Sequence, residues 1–262
     1  MANEKIFIGG HCGDIKKFPQ NVMDGFKSAL DFGVDMIETD IRMTGDGELI
    51  LIHDVNVERT CGVNKNIAEM TLAEIKTLNK AHYCGEKFDH PIRIPTVREL
   101  MELVQGYDVT VNWEIKVWPQ KWQECMPVAD KLVELIEEYS LAEKSMISCF
   151  NNPIMDHLYT KYGKRYKFSV MGVSGCVRDF TPGIAREEYA DYACLYANET
   201  GGSPIGHKDY FDHCIAHGIV PYVCMPKDTE EDVAELLSYG CRGFLSNDIY
   251  EIDRILKKLG AR

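Results

Sequence analysis

Two acidic residues stand two positions apart between apolar neighbours, in Ile37-Glu38-Thr39-Asp40-Ile41. In a strand, residues i and i+2 share a face, so both carboxylates are predicted to point the same way. Like charges on one side of a buried strand are costly unless something positive compensates them. One divalent cation, Mg²⁺ or Ca²⁺, would do so directly, because these ions take oxygen ligands. A solvent-facing pair beside Arg42 is the other arrangement the spacing allows. The pattern recurs in Asn112-Trp113-Glu114-Ile115-Lys116. Glu114 could complete a three-carboxylate site, with Lys116 as a compact positive charge for an anionic substrate, or the two could simply pair at a strand end. His11 and His53 each close an apolar run, Ile6-Phe7-Ile8-Gly9-Gly10-His11 and Leu49-Ile50-Leu51-Ile52-His53. Two imidazoles can divide acid and base work near neutral pH.

These residues need a scaffold that brings strand ends together. Runs rich in Ile, Val, Phe and Tyr at 5–11, 35–41, 109–115, 145–150, 167–172, 192–197, 219–224 and 242–246 read as strands. They alternate with helix-period segments near 21–32, 96–105, 127–139, 153–162, 207–217, 229–239 and 248–259. Strands alternating with helices predict a parallel sheet with crossover helices. Eight such strands over this length predict an α/β fold, a closed (β/α)8 TIM barrel, with an open doubly wound sheet as the alternative. In such a barrel the C-terminal strand ends line the active-site mouth, where His11 and His53 would then lie. No GxGxxG or GxxxxGK[ST] stretch marks a nucleotide site. The stretch 54–95 is far longer than one crossover helix and is predicted to be a lid or small insertion after the second strand, within one domain spanning 1–262. In it, Thr71 to Leu78 is amphipathic, whereas Cys84-Gly85-Glu86 and Pro91 to Pro95 read as loop.

Composition narrows the function classes. The 262 residues carry 29 Lys+Arg against 41 Asp+Glu, a net charge of −12, which argues against nucleic-acid binding. Hydrophobic residues at 45% and charged residues at 27% suit a packed globular protein and not a disordered one. No window approaches the ~18 apolar residues of a membrane span, and the first residues do not form a secretory leader, so a cytoplasmic protein without membrane insertion is expected. Ten cysteines are scattered without a CxxC pair, which predicts unpaired thiols in a reducing compartment.

Taken in order, Gly10-His11-Cys12-Gly13, Pro19-Gln20-Asn21, Gly33-Val34-Asp35, Glu38-Thr39-Asp40, Thr44-Gly45-Asp46-Gly47 and His53-Asp54 resemble the glycerophosphodiester phosphodiesterase family. The resemblance continues through Glu58-Arg59-Thr60, Met70-Thr71-Leu72-Ala73-Glu74-Ile75, Ile94-Pro95-Thr96 and Glu114-Ile115-Lys116, and more loosely to 240–247. It implies a TIM barrel with a small insertion, one divalent cation on Glu38, Asp40 and Glu114, His11 and His53 as the acid/base pair, and Lys116 on the phosphate. Phe150 matches a position that faces the pocket in the family, whereas Trp113, Trp118 and Trp122, near predicted strand ends, could line its alcohol side or belong to the barrel core. The implied reaction is metal-dependent cleavage of a small-molecule glycerophosphodiester to glycerol 3-phosphate and an alcohol, with water or a neighbouring substrate hydroxyl as the attacking group.

The chain departs from the family pattern at three positions. Cys12 stands where the family usually has Arg, Gln20 where it has Glu, and Ser246-Asn247 where it has Thr-Asp. Loss of one charge-assisted phosphate contact could cost on the order of 2–3 kcal/mol. Two further readings therefore stand beside the phosphodiesterase: a weak or inactive relative that binds phosphodiesters, and a phospholipase D-like enzyme acting on lysolipids.

Overall fold

The computed structural model describes residues 5–117, 120–173, 184–196, 203–225 and 228–262. The eight predicted runs all form strands: β1 (Phe7–Gly10), β2 (Met36–Met43), β4 (Thr110–Ile115), β5 (Ser145–Cys149), β6 (Lys167–Val173), β7 (Tyr192–Tyr196), β8 (Val220–Met225) and β9 (Gly243–Ser246). An additional strand, β3 (Leu49–Leu51), follows β2 in the chain. The eight pair in parallel from β1 through β9, β8, β7, β6, β5 and β4 to β2, and a β1–β2 pairing at Gly9 and Met36 closes the ring. The fold is thus the expected closed (β/α)8 barrel. Side-chain alternation divides β2 between two layers: Met36 joins Met146, Met171, Tyr222 and Leu245 inside the ring, while Ile37 and Ile41 pack outward under the helices. Gly243 leaves room for Phe7 at the barrel floor, where an added Cβ would lie 2.2 Å from the Phe7 ring.

The seven predicted helices are present as Met23–Phe32, Val97–Val104, Trp122–Glu138, Asn152–Tyr162, Lys208–Ala216, Glu230–Ser238 and Ile249–Lys258. One starts early: Trp122, not residue 127, opens its segment, and Pro127 sits inside it. Proline is usually confined to a first turn, because it lacks the N–H that an interior position donates. The apolar stripe Cys125, Val128, Ala129 and Leu132 is buried, and its packing holds the helix across the missing N–H.

A more consequential difference concerns the run ending at His53. β3 runs antiparallel to β2, with Ile41 opposite Leu51 and Met43 opposite Leu49, so it is a hairpin return and not a barrel strand. The turn at Thr44-Gly45-Asp46-Gly47 reverses the chain. Gly45 must be glycine, because a Cβ would lie 2.7 Å from the Ala68 carbonyl oxygen. The Ile52 N–H then donates to the Asp40 carbonyl at 2.9 Å, which returns His53 to the barrel mouth from above.

The 54–95 segment carries short helices at Glu58–Cys61, Ile67–Glu69, Leu72–Ile75 and His82–Lys87, the last where the sequence read as loop. Thr71 and Glu74 form a reciprocal cap at the third. Ile52, Val57, Ile67, Met70, Ile75 and Ile94 give the segment an apolar cluster of its own. Lys80, 3% exposed, ties it to the barrel by donating to the Asn21 and Leu51 carbonyls, both at 2.9 Å. Burial pulls this ammonium down to about 8. Lys80→Met keeps the apolar stem and orphans two buried acceptors, so it is expected to cost about 2 kcal/mol and lower Tm by on the order of 5 °C. A thermal melt unchanged within 1 °C would show that Lys80 is not an anchor.

Candidate active site

Parallel register sets the acidic cluster. Asp40 on β2 lies opposite Glu114 on β4, and Glu38 opposite Asn112. All three carboxylates are buried, and one oxygen from each lies within 4.8 Å of the others. Burial, then the neighbouring Asp40, pushes Glu38 up to about 8. Asp40 goes the other way: burial opposes its charge, but Lys116 and the Asn21 amide hold it below the ordinary range. Lys116 Nζ sits 2.6 Å from Glu114 Oε1 and 3.3 Å from Asp40 Oδ1. Glu38 Oε1 is buried without a hydrogen-bond partner. Three converging carboxylates with one orphaned oxygen form a donor set suited to a hard divalent cation, so the residues fit a metal ion.

The loop after β1 supplies the opposite wall. His11 Nδ1 lies 2.6 Å from Asn247 Oδ1, and His11 Nε2 lies 3.8 Å from Glu38 Oε2. Burial works against charge on His11, but Glu38, Asp40 and the Asn247 oxygen help to outweigh it and raise the imidazolium well above its usual range. Among the described residues, Cys12 and Asn21 are two of the three non-glycine residues at positive φ, both at 54°. Such backbone is held only where surrounding bonds over-determine it. Here the Cys12 N–H donates to Glu38 Oε2 at 3.1 Å, and the Asn21 N–H donates to the Cys12 carbonyl at 2.8 Å. Asn21 Nδ2 also donates to Asp40 Oδ2 at 2.8 Å, and Thr39 Oγ1 donates to Asn21 Oδ1 at 2.7 Å.

His53 is half-exposed at the rim. Its Nδ1 is 2.8 Å from Asp54 Oδ1, and Arg59 from the insertion donates to the other Asp54 oxygen. Those bonds outweigh burial and hold Asp54 well below the usual carboxylate range. Arg42 Nε donates to the His53 carbonyl at 2.8 Å. Phe150 is 43% exposed and meets Tyr196 edge to face at 6.3 Å.

One cavity of about 380 Å³ brings together all seven residues singled out from the sequence: His11, Glu38, Asp40, His53, Glu114, Lys116 and Phe150. It also takes in Cys12, Gln20, Asp54, Arg59, Tyr196 and Cys224. The aromatic candidates separate. Trp113 is fully buried under the helices with its indole N–H on Ser145 Oγ, so it is core. Trp122 lines an adjoining groove with Phe150 and Lys116, and Trp118 lies outside the described residues. Sequence reasoning gave no role to Asn21, Asn247 or Arg59, although all three fall within matched motifs. The nine cysteines among the described residues are unpaired, and all but Cys84 are buried.

The chain is 30% identical over 262 residues to a glycerophosphodiester phosphodiesterase of Caldanaerobacter subterraneus subsp. tengcongensis, covering 98% of this chain and 100% of that protein. A crystal structure of a glycerophosphodiester phosphodiesterase from Parabacteroides distasonis superposes with a TM-score of 0.80 at 18% identity, covering 98% of this chain and 100% of the other. An Oleispira antarctica phosphodiesterase, solved with its product sn-glycerol-3-phosphate, gives 0.79 at 17% identity and covers 97% of each chain. The sequence profile of the glycerophosphoryl diester phosphodiesterase family matches residues 11–251, and with that match the chain belongs to this family.

Proposed function

We propose that this enzyme cleaves glycerophosphodiesters to glycerol 3-phosphate and an alcohol in the cavity between His11 and His53. The observation that carries the proposal is the convergence of three buried carboxylates, two histidines and Lys116 on one opening. The full-length relative named for this activity and the product-bound neighbour support it.

Glu38, Asp40 and Glu114 would hold one Mg²⁺ or Ca²⁺. Bound there, the cation would supply charge stabilisation at the phosphoryl oxygens. Lys116 offers a further positive point to the phosphate beside Asp40 and Glu114. His11 acts as the base: Asn247 takes its Nδ1–H, which leaves Nε2 facing the site once the carboxylates are compensated. His53 acts as the acid: Asp54 orients its Nδ1, and the half-exposed ring stands where an alcohol would depart to solvent. The attacking hydroxyl belongs to water or to the substrate's glycerol, and product analysis distinguishes glycerol 3-phosphate from a cyclic phosphate. Phe150 and Tyr196 form an apolar rim for the alcohol, and the groove at Trp122 extends it, which favours including lysolipids among the substrates tested.

The test is release of glycerol 3-phosphate or alcohol from glycerophosphodiesters and lysophospholipids. EDTA is expected to lower turnover roughly 100-fold or more, with recovery on added Mg²⁺ or Ca²⁺. Turnover indifferent to EDTA would overturn the metal assignment, and silence on every substrate would return the chain to the diester-binding reading. Asn247→Ala is expected to lower kcat by about 10- to 100-fold with little change in KM, as loss of a tautomer-fixing partner does. A change confined to KM would remove Asn247 from that role.

A further inference from the structure

The barrel mouth holds a second donor set that shares only Glu38 with the three carboxylates. His11, Cys12 and Glu38 each offer one ligand atom within 4.8 Å of the others, and their chemistry differs: imidazole nitrogen, thiol sulfur, carboxylate oxygen. The thiol is aimed inward. Cys12 is 2% exposed, and its Sγ stands 3.6 Å from Glu38 Oε2 and 3.4 Å from Asp40 Oδ2. Its left-handed backbone fixes that aim, at φ 54°. The imidazole is oriented as metal-ligating histidines are, with Nδ1 on an amide oxygen at 2.6 Å and Nε2 left toward the site. Glu38, 1% exposed, turns Oε2 toward both, 3.8 Å from His11 Nε2 and 3.6 Å from Cys12 Sγ, and its Oε1 is buried without a hydrogen-bond partner.

Nitrogen and sulfur donors prefer thiophilic ions over Mg²⁺ or Ca²⁺. We propose that His11, Cys12 and Glu38 form a site for a thiophilic divalent cation such as Zn²⁺ or Co²⁺, distinct in ligand chemistry from the carboxylate trio beside it. Binding replaces the Cys12 S–H bond by a metal–sulfur bond and releases the proton to solvent. An ion held there also occupies the Nε2 lone pair on which the proposed proton transfer depends. The inference rests on the reading of Glu38 as a metal ligand, and the experiment separates the two.

Purified full-length protein is titrated with Co²⁺ and followed by near-ultraviolet absorption, and the Zn²⁺-loaded protein is examined by X-ray absorption at the zinc edge. The expected result is a sulfur-to-cobalt charge-transfer band and one sulfur neighbour at about 2.3 Å from zinc. Cys12→Ser should abolish the band, and Cys224→Ser should keep it. His11→Gln, which leaves Cys12 intact, should weaken Zn²⁺ binding about 10-fold or more and keeps the proposal testable if Cys12→Ser does not fold. A zinc shell of nitrogen and oxygen only, a band that survives Cys12→Ser, or Zn²⁺ affinity unchanged in His11→Gln would each overturn it. Calorimetry with Mg²⁺ and Ca²⁺ on the same samples distinguishes the failures: hard-ion binding without a sulfur ligand defeats this inference alone, whereas loss of both also defeats the carboxylate site.

Discussion

Glu38→Gln is expected to abolish divalent-cation binding and to lower turnover by about 10³-fold or more, while leaving the metal-free protein at least as stable as wild type. The two halves of that expectation have one cause. Burial and the adjacent Asp40 push the Glu38 carboxyl up to about 8, so its ionised form is disfavoured in the folded chain. Glutamine keeps the shape and the acceptor for the Cys12 N–H, and it removes the charge. The sign of the pH effect follows. Between the ordinary carboxyl value of 4.5 and about 8, the folded state keeps a proton that the unfolded chain has released. The stability contribution of Glu38 therefore falls as pH rises through that window. In EDTA, wild type should lose stability between those pH values, and Glu38→Gln should lose less. With saturating cation the order reverses, because an ion at about 100 times its Kd stabilises wild type by about 2.7 kcal/mol and gives the variant nothing. Thermal melts from pH 5 to 8, with and without Mg²⁺, read both effects. A cation-induced shift that persists in Glu38→Gln would remove Glu38 from the ligand set.

The same residue shows why much of the site was legible in the sequence. Glu38, Asp40 and Glu114 lie in runs whose neighbours are apolar and alternate with period two, so one expectation about strands fixed both the barrel and the direction of the carboxylates. Parallel register then set Asp40 against Glu114. His53 was found for a partly mistaken reason. Leu49 to Ile52 has the composition of a barrel strand, and only the preceding Thr44-Gly45-Asp46-Gly47 turn signals that it folds back antiparallel on β2. The partners of the histidines were harder to see. Asn247 reaches His11 across 236 positions, a contact that exists only because β1 and β9 pair side by side. Asn21, a partner of Asp40 and not of a histidine, is presented from a backbone at positive φ, which no periodicity encodes. Trp113 illustrates the converse: its place near a strand end allowed either the pocket or the core, and because adjacent strand residues face opposite sides it lies opposite Glu114, in the layer under the helices.

His11→Ala and His53→Ala are each expected to lower kcat on glycerophosphodiesters by about 10²- to 10⁴-fold, the range for loss of a general acid or base. Neither is expected to change the fold, since neither ring is packed in the apolar core. The two variants should part company when the leaving group changes. A nitrophenolate departs without protonation, so a nitrophenyl diester bypasses the acid and still needs the base. If His53 is the acid, His53→Ala should recover most of its activity on such a substrate, and His11→Ala should remain impaired. Exposure gives an independent check. The half-exposed rim position of His53 leaves room for added imidazole to substitute for the missing ring. His11 lies deeper, between Asn247 and Glu38, and its loss should be rescued poorly. Recovery of His11→Ala instead of His53→Ala on the activated diester would exchange the two roles. Turnover within twofold of wild type in either variant would remove that histidine from proton transfer altogether.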